Sequence, residues 1–358
     1  MKTPVKFALL GCGRIAQHYS QLFKQGIPGA QLVGCCDKIP EKAKMIARNV
    51  GAEVESFSCL SDMVCATSPD VICILTESGH HFEHTSQVLD HGCHAVIEKP
   101  VSLLPDQAYF LAKKAKEKRL MATVVMQNRF NIAIKKLHEA VSSGRLGTIV
   151  TATIRLRWCR MQEYYEDGWH GTWAMDGGVI NQQAIHHVDA LNWICGPISE
   201  VSAVISNRIM KLEAEDTITA AIKFDSGALG TIEATTATRP RDVEASLSVI
   251  GEKGMVVVGG IALNKIETWE FVESTPEDEK TPIEYSQDVP NGYGLGHIPY
   301  LQDVAQRLQA GNISPVLSTT DAVKSVEIIH ALYASDEQNS WVRLSDDPRS
   351  SRLGIAKV

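Results

Sequence analysis

Lys99, Gln182 and His186 carry side chains that handle protons and hydrogen bonds, and each sits where the chain gives it an unusual setting. Lys99 lies in HAVIEKPVS (94–102), where an apolar strand ends on an acid, an ammonium and a proline that forbids its continuation. Such a lysine can donate a hydrogen bond to a hydroxyl oxygen or, when desolvated, accept its proton. A cis Lys99–Pro100 bond would suit the turn, and Glu98 could offset the ammonium's charge. Gln182 and His186 stand four apart in GGVINQQAIHHVDALNWICGP (177–197). At 3.6 residues per turn, a helix over 179–195 puts Ala184, Ile185, Val188, Leu191 and Cys195 on an apolar stripe. Gln182, His186, Asp189 and Trp193 then line the other side. A glutamine and a histidine one turn apart can contact one substrate hydroxyl, with Asp189 as a possible orienter of the ring. A neutral imidazole suits a general base for alcohol oxidation.

The partner for such an oxidation is indicated near the start. VKFALLGCGRIA (5–16) places Gly11, Gly13 and Ala16 as G-x-G-x-x-A between a strand and a helix. Gly11 permits the tight turn, Gly13 lets backbone approach a pyrophosphate, and Ala16 allows close helix–strand packing, while the helix N-terminus supplies amide donors. The next strand ends at Asp37, placed to bond an adenine ribose 2′-hydroxyl and to repel a 2′-phosphate. The cofactor is therefore NAD in preference to NADP, although Lys38 next to it is a cation of the kind that accommodates the phosphate.

The elements that must hold these groups can be read from the hydrophobic pattern. VKFALL (5–10), QLVGCCD (31–37), VICILT (71–76), HAVIEK (94–99) and LMATVVM (120–126) are near-continuous apolar runs, the signature of a parallel sheet covered on both faces. Amphipathic stretches such as 105–119 alternate with them, which implies a doubly wound α/β domain over 1–125. From 126 to 358 the pattern changes to strands joined by short turns (147–160, 198–209, 216–224, 228–238, 243–251, 255–263, 265–271), with helices at 179–195, 297–310 and 321–335. This predicts an α+β domain with a large open, mainly antiparallel sheet, helices on one face, and the other face exposed or covered by a second subunit. The acidic, proline-containing segment 272–290 reads as a loop.

Composition narrows the classes. A 44% hydrophobic, 22% charged chain is an ordinary globular one, and a net charge of −7 argues against nucleic acid or an anionic membrane as partner. Nine cysteines without a CxxC pair suit buried free thiols in a reducing compartment, and no run is long enough to span a membrane, so a cytoplasmic location is expected. His80, His81, His84, His91 and His94 raise a metal reading, but no cysteine pair, acidic pattern or HExxH completes a site, and none is expected.

Taken together, G-C-G-R-I-A, Asp37, E-K-P (98–100) and G-G-x-x-x-Q-x-x-x-H-H-x-D (177–189) resemble the Gfo/Idh/MocA oxidoreductases over nearly the whole chain. The resemblance implies a Rossmann domain followed by an open-sheet domain, NAD(P)-dependent oxidation of sugar hydroxyls, and Lys99 and His186 as the catalytic pair, with Gln182 beside them. It implies cofactor contacts from Gly11, Gly13, Arg14, Ile15, Asp37, Thr76, His81, Glu98, Lys99 and Gln127. RWCRMQEYYEDGWHGTWAMDGG (157–178), MQNRF (126–130) and GEKGMVVVGGIALNKIETWEF (251–271) are similar to the bacterial UDP-N-acetylglucosaminuronate 3-dehydrogenases of lipopolysaccharide and capsule biosynthesis. That similarity implies oxidation of a nucleotide sugar at C3. For such a substrate Arg129 or Arg160 would grip the carboxylate, and Tyr164, Tyr165, Trp169 and Trp173 could stack on uracil or sugar. Gln182 replaces the family's usual Asp or Asn, and Glu77 is unusual near a dianion. Which of Lys99 and His186 is the base stays open. Another sugar, a polyol such as inositol, or a non-catalytic NAD-binding regulator on the same fold are the alternatives, and a homo-oligomer is expected.

Overall fold

The apolar runs of the first third pair as a six-stranded parallel sheet in a computed structural model that describes residues 3–356. Its strands are β1 (Val5–Leu10), β2 (Ala30–Cys36), β3 (Glu55–Phe57), β4 (Val71–Ile74), β5 (His94–Ile97) and β6 (Ala122–Val124), in the spatial order β3-β2-β1-β4-β5-β6. Helices α1 (Arg14–Gln25), α2 (Pro40–Val50), α3 (Leu60–Thr67), α4 (His81–Asp90) and α5 (Pro105–Lys118) connect them. Prolines open α2 and α5, where a missing N–H costs nothing. The order reverses between β1 and β4, which makes the carboxyl ends of these two strands the place where a ligand fits. β3 is three residues with little burial, too short to leave a periodic signal.

The second unit holds α6 (Ile132–Ser142), β7 (Ile149–Arg157), α7 (Val179–Gln182), α8 (Ile185–Cys195), β8 (Ile198–Ser206), β9 (Thr217–Phe224), β10 (Leu229–Thr235), β11 (Glu244–Gly251), β12 (Gly254–Gly259), β13 (Lys265–Phe271) and α9 (Pro276–Glu284). Its eight-stranded sheet runs β13-β12-β11-β7-β10-β9-β8-β14, where β14 is Val342–Arg343, and every neighbouring pair is antiparallel except β7 with β10. One face buries Ile154, Leu156, Ile218, Ile222, Ile232, Leu247 and Val249, with α8 packed across β7 and β11. The other carries threonine pairs (Thr153–Thr231 at 2.9 Å) and a fork from Arg157 to Glu233 at 2.6 and 2.9 Å. A parallel doubly wound sheet followed by a mainly antiparallel one is the fold class that the sequence implies.

The chain then returns. α10 (His297–Gln309) and the residues to Val323 belong to the first unit, while the remainder of α11 (Thr319–Gln338) from Lys324 belongs to the second. The return is fastened at Thr123, whose hydroxyl lies 2.8 Å from the Tyr300 hydroxyl and donates to the Leu317 carbonyl at 2.9 Å. No helix among the described residues is long and apolar enough to cross a membrane.

Two local expectations are corrected. The helix over 179–195 is interrupted at Gln183–Ala184, where the Ala184 N–H reaches back to the Val179 carbonyl and widens the turn. Every residue from Val179 to Leu191 is buried, so the polar side faces protein rather than water. The acidic loop at 272–290 contains α9, because Thr275-Pro276-Glu277-Asp278 is a helix start: proline in the first turn and an acid three residues past the cap. Asp278 accepts the Thr275 N–H (2.7 Å), the Trp269 indole N–H (2.7 Å) and the Arg145 guanidinium. Burial pushes this acid up, but those donors outweigh it and hold it at about 2.

Asp278→Ala should cost about 2 kcal/mol in urea unfolding, the scale of losing several charge-assisted hydrogen bonds at a buried site. Because folding lowers this pKa, the contribution is present above 3.8 and should fade as pH falls from there toward about 2.

Candidate active site

At the mouth of β1 and β4 the first unit builds a cradle from glycines. Gly11 has φ +93°, and a Cβ there would lie 2.8 Å from the backbone of Leu75 and Thr76. The two strand ends therefore touch at this point, and only glycine fits. Gly13 is the reverse case: a Cβ would meet nothing within 4 Å, and no side chain caps the α1 amides that follow. Arg14 and Ile15 open that helix. The space at a helix N-terminus, with uncapped amides, is what a pyrophosphate needs. Asp37 stands beside it with its carboxylate fixed by the Cys12 N–H (2.7 Å) and the Ile39 N–H (2.8 Å). Each oxygen keeps a lone pair for a ribose hydroxyl. These residues fit NAD.

Around this cradle the structure reassigns several groups. Glu77, odd beside a dianion, pairs with Lys38 at 3.3 Å. The Thr76 hydroxyl lies 2.9 Å from His84 Nδ1. His81, expected to touch the cofactor, is buried with Nδ1 2.6 Å from the Pro100 carbonyl and Nε2 3.0 Å from that of Thr76. A neutral ring donates to one of them only, so His81 sits between the loop after β4 and the Lys99–Pro100 turn and is bonded to one of the two. Burial pushes its pKa down against the pull of those carbonyls.

The Lys99–Pro100 bond is cis. Lys99 is half-buried at the end of β5, while Glu98 points the other way, into the core. Its carboxylate accepts the Tyr19 hydroxyl at 2.9 Å and the Lys99 N–H at 3.2 Å, and His297 Nε2 lies 3.6 Å away. Burial raises this acid, but His297, the Lys99 ammonium and Tyr19 together bring it below its ordinary value, so it is ionised at neutral pH. Glu98 thus supports the turn from beneath. Tyr19 and His297 went unnoticed in the sequence because 79 residues separate Glu98 from one, and the other sits on the returning segment.

The second unit holds the remaining candidates. His186 is in the first turn of α8 and Gln182 ends α7, both buried. Gln127, in a short turn over Gln127–Phe130, is buried too. Arg129 follows it, and its Nε and Nη2 each bond Asp189 at 2.7 Å, with the guanidinium 5.1 Å above Trp193. This corrects two expectations at once: the Arg129 fork is engaged by a buried carboxylate and does not wait for a substrate's, and Asp189 braces Arg129 and Ser325 instead of orienting His186. Arg160 differs. Among the described residues its guanidinium is bonded through Nη1, to Asp242 (3.1 Å) and the Cys159 carbonyl (2.7 Å), and its plane lies near Trp158 and Tyr164. Tyr164 is half-buried against His170, whose Nδ1 meets Asp167 at 2.6 Å. Trp173 is packed on Tyr333 and Arg352 and is unavailable for stacking on a ligand. Among the described residues no cluster of His, Cys, Asp and Glu is arranged to hold a metal.

Known proteins bear on this geometry. Residues 5–126 match the oxidoreductase-family NAD-binding Rossmann fold, and residues 138–344 match the oxidoreductase-family C-terminal alpha/beta domain. The chain is similar to the WlbA dehydrogenase from Bordetella pertussis, solved with NADH and UDP-GlcNAcA: 34% identity, 95% of this chain and 98% of that one, TM-score 0.89. The WlbA dehydrogenase from Chromobacterium violaceum, in the same type of complex, gives 33% identity over 96% of both chains and a TM-score of 0.87. D-glucoside 3-dehydrogenase of Escherichia coli (strain K12) is 26% identical over 70% of this chain and 76% of its own. With both domain models matched in order and a glycine cradle, an acid at the ribose position and an E-K-P turn in place, the chain belongs to the Gfo/Idh/MocA family of NAD-binding oxidoreductases.

Proposed function

We propose that this protein oxidises the C3 hydroxyl of UDP-N-acetylglucosaminuronate to a ketone with NAD. The observation that carries the reading is the similarity, over 95–96% of the chain, to two dehydrogenases solved with NADH and UDP-GlcNAcA. The D-glucoside 3-dehydrogenase, named for position 3, supports the regiochemistry.

In this reading residues 1–125 hold the dinucleotide through Gly11, Gly13, Arg14, Ile15, Asp37, Thr76 and Lys99. The second unit (126–296 and 324–358), with Gln127 added to the cofactor side, holds the sugar. When bound, the nicotinamide supplies the hydride acceptor. His186 takes the proton from the C3 hydroxyl. Lys99 donates a hydrogen bond to the same oxygen, which lowers its pKa and keeps the carbon oriented. Gln182 steadies the hydroxyl from the preceding turn. Arg160 presents its unbonded Nε and Nη2 to the uronate carboxylate, with Tyr164 closing against the sugar or base. The chain works in the cytoplasm as a homo-oligomer joined through the open face of the eight-stranded sheet, feeding nucleotide-sugar biosynthesis.

NADH fluorescence against a panel of UDP-N-acetylglucosaminuronate, UDP-N-acetylglucosamine, free glucosides and inositol tests the assignment. The uronate should give the highest kcat/KM, and a neutral sugar or polyol in first place would replace it. Lys99→Ala should lower kcat by ~10²–10⁴, the usual worth of general acid–base help, with KM for NAD little changed. Arg160→Ala should raise KM for the uronate by about tenfold or more, the effect of losing one charge-assisted pair, and leave a neutral analogue unaffected. Equal losses on both substrates would remove Arg160 from the carboxylate site.

A further inference from the structure

α7 begins without a cap of its own. Gly178, at its N-cap, uses no side chain, and the first amides are met by residues far along the chain. The Val179 N–H donates to the Glu215 backbone carbonyl at 3.0 Å, and the Ile180 N–H to Glu215 Oε1 at 3.0 Å. Tyr333, from α11, donates its hydroxyl to the same Oε1 at 3.0 Å and accepts the Gly178 N–H at 3.0 Å. A Cβ at position 178 would run into the Glu215 carboxyl, so the glycine is what lets the carboxyl approach. Glu215 is 2% exposed, and its Oε2 has no hydrogen-bond partner among the described residues.

We propose that Glu215 is a positioning residue for the reaction: with Tyr333 as second post it suspends the first turn of α7, and thereby the Gln182 and His186 side chains that follow on α7 and α8. This rests on the catalytic reading of His186 given above. The turn is buried against β9 and β10, and its polar fastening at the N-terminal end comes from Glu215 and Tyr333. Its own ladder is irregular at Gln183–Ala184, where both amides converge on the Val179 carbonyl. Asn181 adds one bond, from its Nδ2 to the Asp176 carbonyl at 2.5 Å.

The hold is sensitive to pH. Burial pushes the Glu215 carboxyl up to about 7, against the Ile180 N–H, its own backbone N–H, the Tyr333 hydroxyl and the Arg352 charge. The charged and titratable groups packed around it are these. Tyr333 is pushed well above its ordinary range, Arg352 is paired with Asp336 and Glu337 at 2.9 and 3.0 Å, and Asp176 and Asp216 accept backbone amides. His330, one turn before Tyr333, accepts the Ser350 N–H. Since folding raises this acid from 4.5 to about 7, its stabilisation is present at low pH and is lost as pH climbs through that interval.

The test compares wild type with Glu215→Ala, Glu215→Gln and Tyr333→Phe. Glu215→Ala should lower kcat by about tenfold or more, as misplacing a reacting group does, leave KM for NAD nearly unchanged, and speed amide exchange across Gly178–Gln183. Glu215→Gln keeps an acceptor for Ile180 and should recover most of the loss. The thermal midpoint of wild type relative to Glu215→Gln should fall as pH rises from 4.5 toward 7. Wild-type kcat in Glu215→Ala, unchanged exchange across the turn, or Glu215→Gln no better than alanine would each overturn the proposal. If Glu215→Ala does not fold, Tyr333→Phe and Glu215→Gln carry the same comparison. Full activity in His186→Asn would instead overturn the base assignment, and the exchange and stability readouts of Glu215 would stand apart from it.

Discussion

A carboxylate taken out of water must be answered by donors, and in the first unit that requirement falls at Glu98. Three elements answer it: α1 through Tyr19, the β5 turn through the Lys99 amide, and the returning segment through His297. Removing one partner from a buried charge of this kind typically costs about 3–5 kcal/mol, because the remaining charge stays uncompensated. The helix that begins at the glycine cradle, the turn that carries Lys99 and the segment from His297 therefore meet within this unit at a single ion. Its negative charge is also felt by Tyr19 and Cys73, both pushed well above their ordinary values by burial first and by Glu98 next.

The same device recurs at smaller scale. Asp37 clamps the Cys12 amide of the glycine turn, and Asp216 gathers the amides of Arg208, Ile209 and Met210 on one oxygen. Asp189 is different in kind, since it pairs with Arg129 in a bidentate geometry that fixes a side chain and not a loop. In each case an acid distant in sequence determines where a functional segment lies, and the regular elements serve mainly to bring the acid there. Loops held this way are ordered without burying much apolar surface.

This explains what was legible in the sequence. The strands, the glycine turn, Asp37 and the E-K-P turn follow from local rules: apolar runs, residue spacing, the missing Cβ of glycine and the missing N–H of proline. They could be located from neighbours alone. The return of His297–Val323 to the first unit could not, because its anchor is a hydroxyl pair between residues 177 positions apart. Arg129 and Arg160 look alike as surface arginines in sequence. They separate only when Asp189, 60 residues on, takes one fork, and Asp242, 82 residues on, takes one nitrogen of the other. The surroundings of His81 are hidden for the same reason, since its partners are backbone carbonyls that no side-chain motif announces. The missed helix α9 is another case. Its start signal is local, but it lies inside an acidic, proline-containing stretch whose composition reads as loop.

The pair between Lys38 and Glu77 has a consequence for anyone wishing to change which dinucleotide this scaffold accepts. The ammonium that would welcome an extra phosphate on the adenosine side already faces a carboxylate, and that carboxylate is held ionised despite partial burial by its own amide and by Lys38. Replacing the acid at 37 alone would leave a second anion on the rim. A phosphate-tolerant version of this pocket needs both acids neutralised, after which the lysine, already in place, becomes the new ligand's counter-ion.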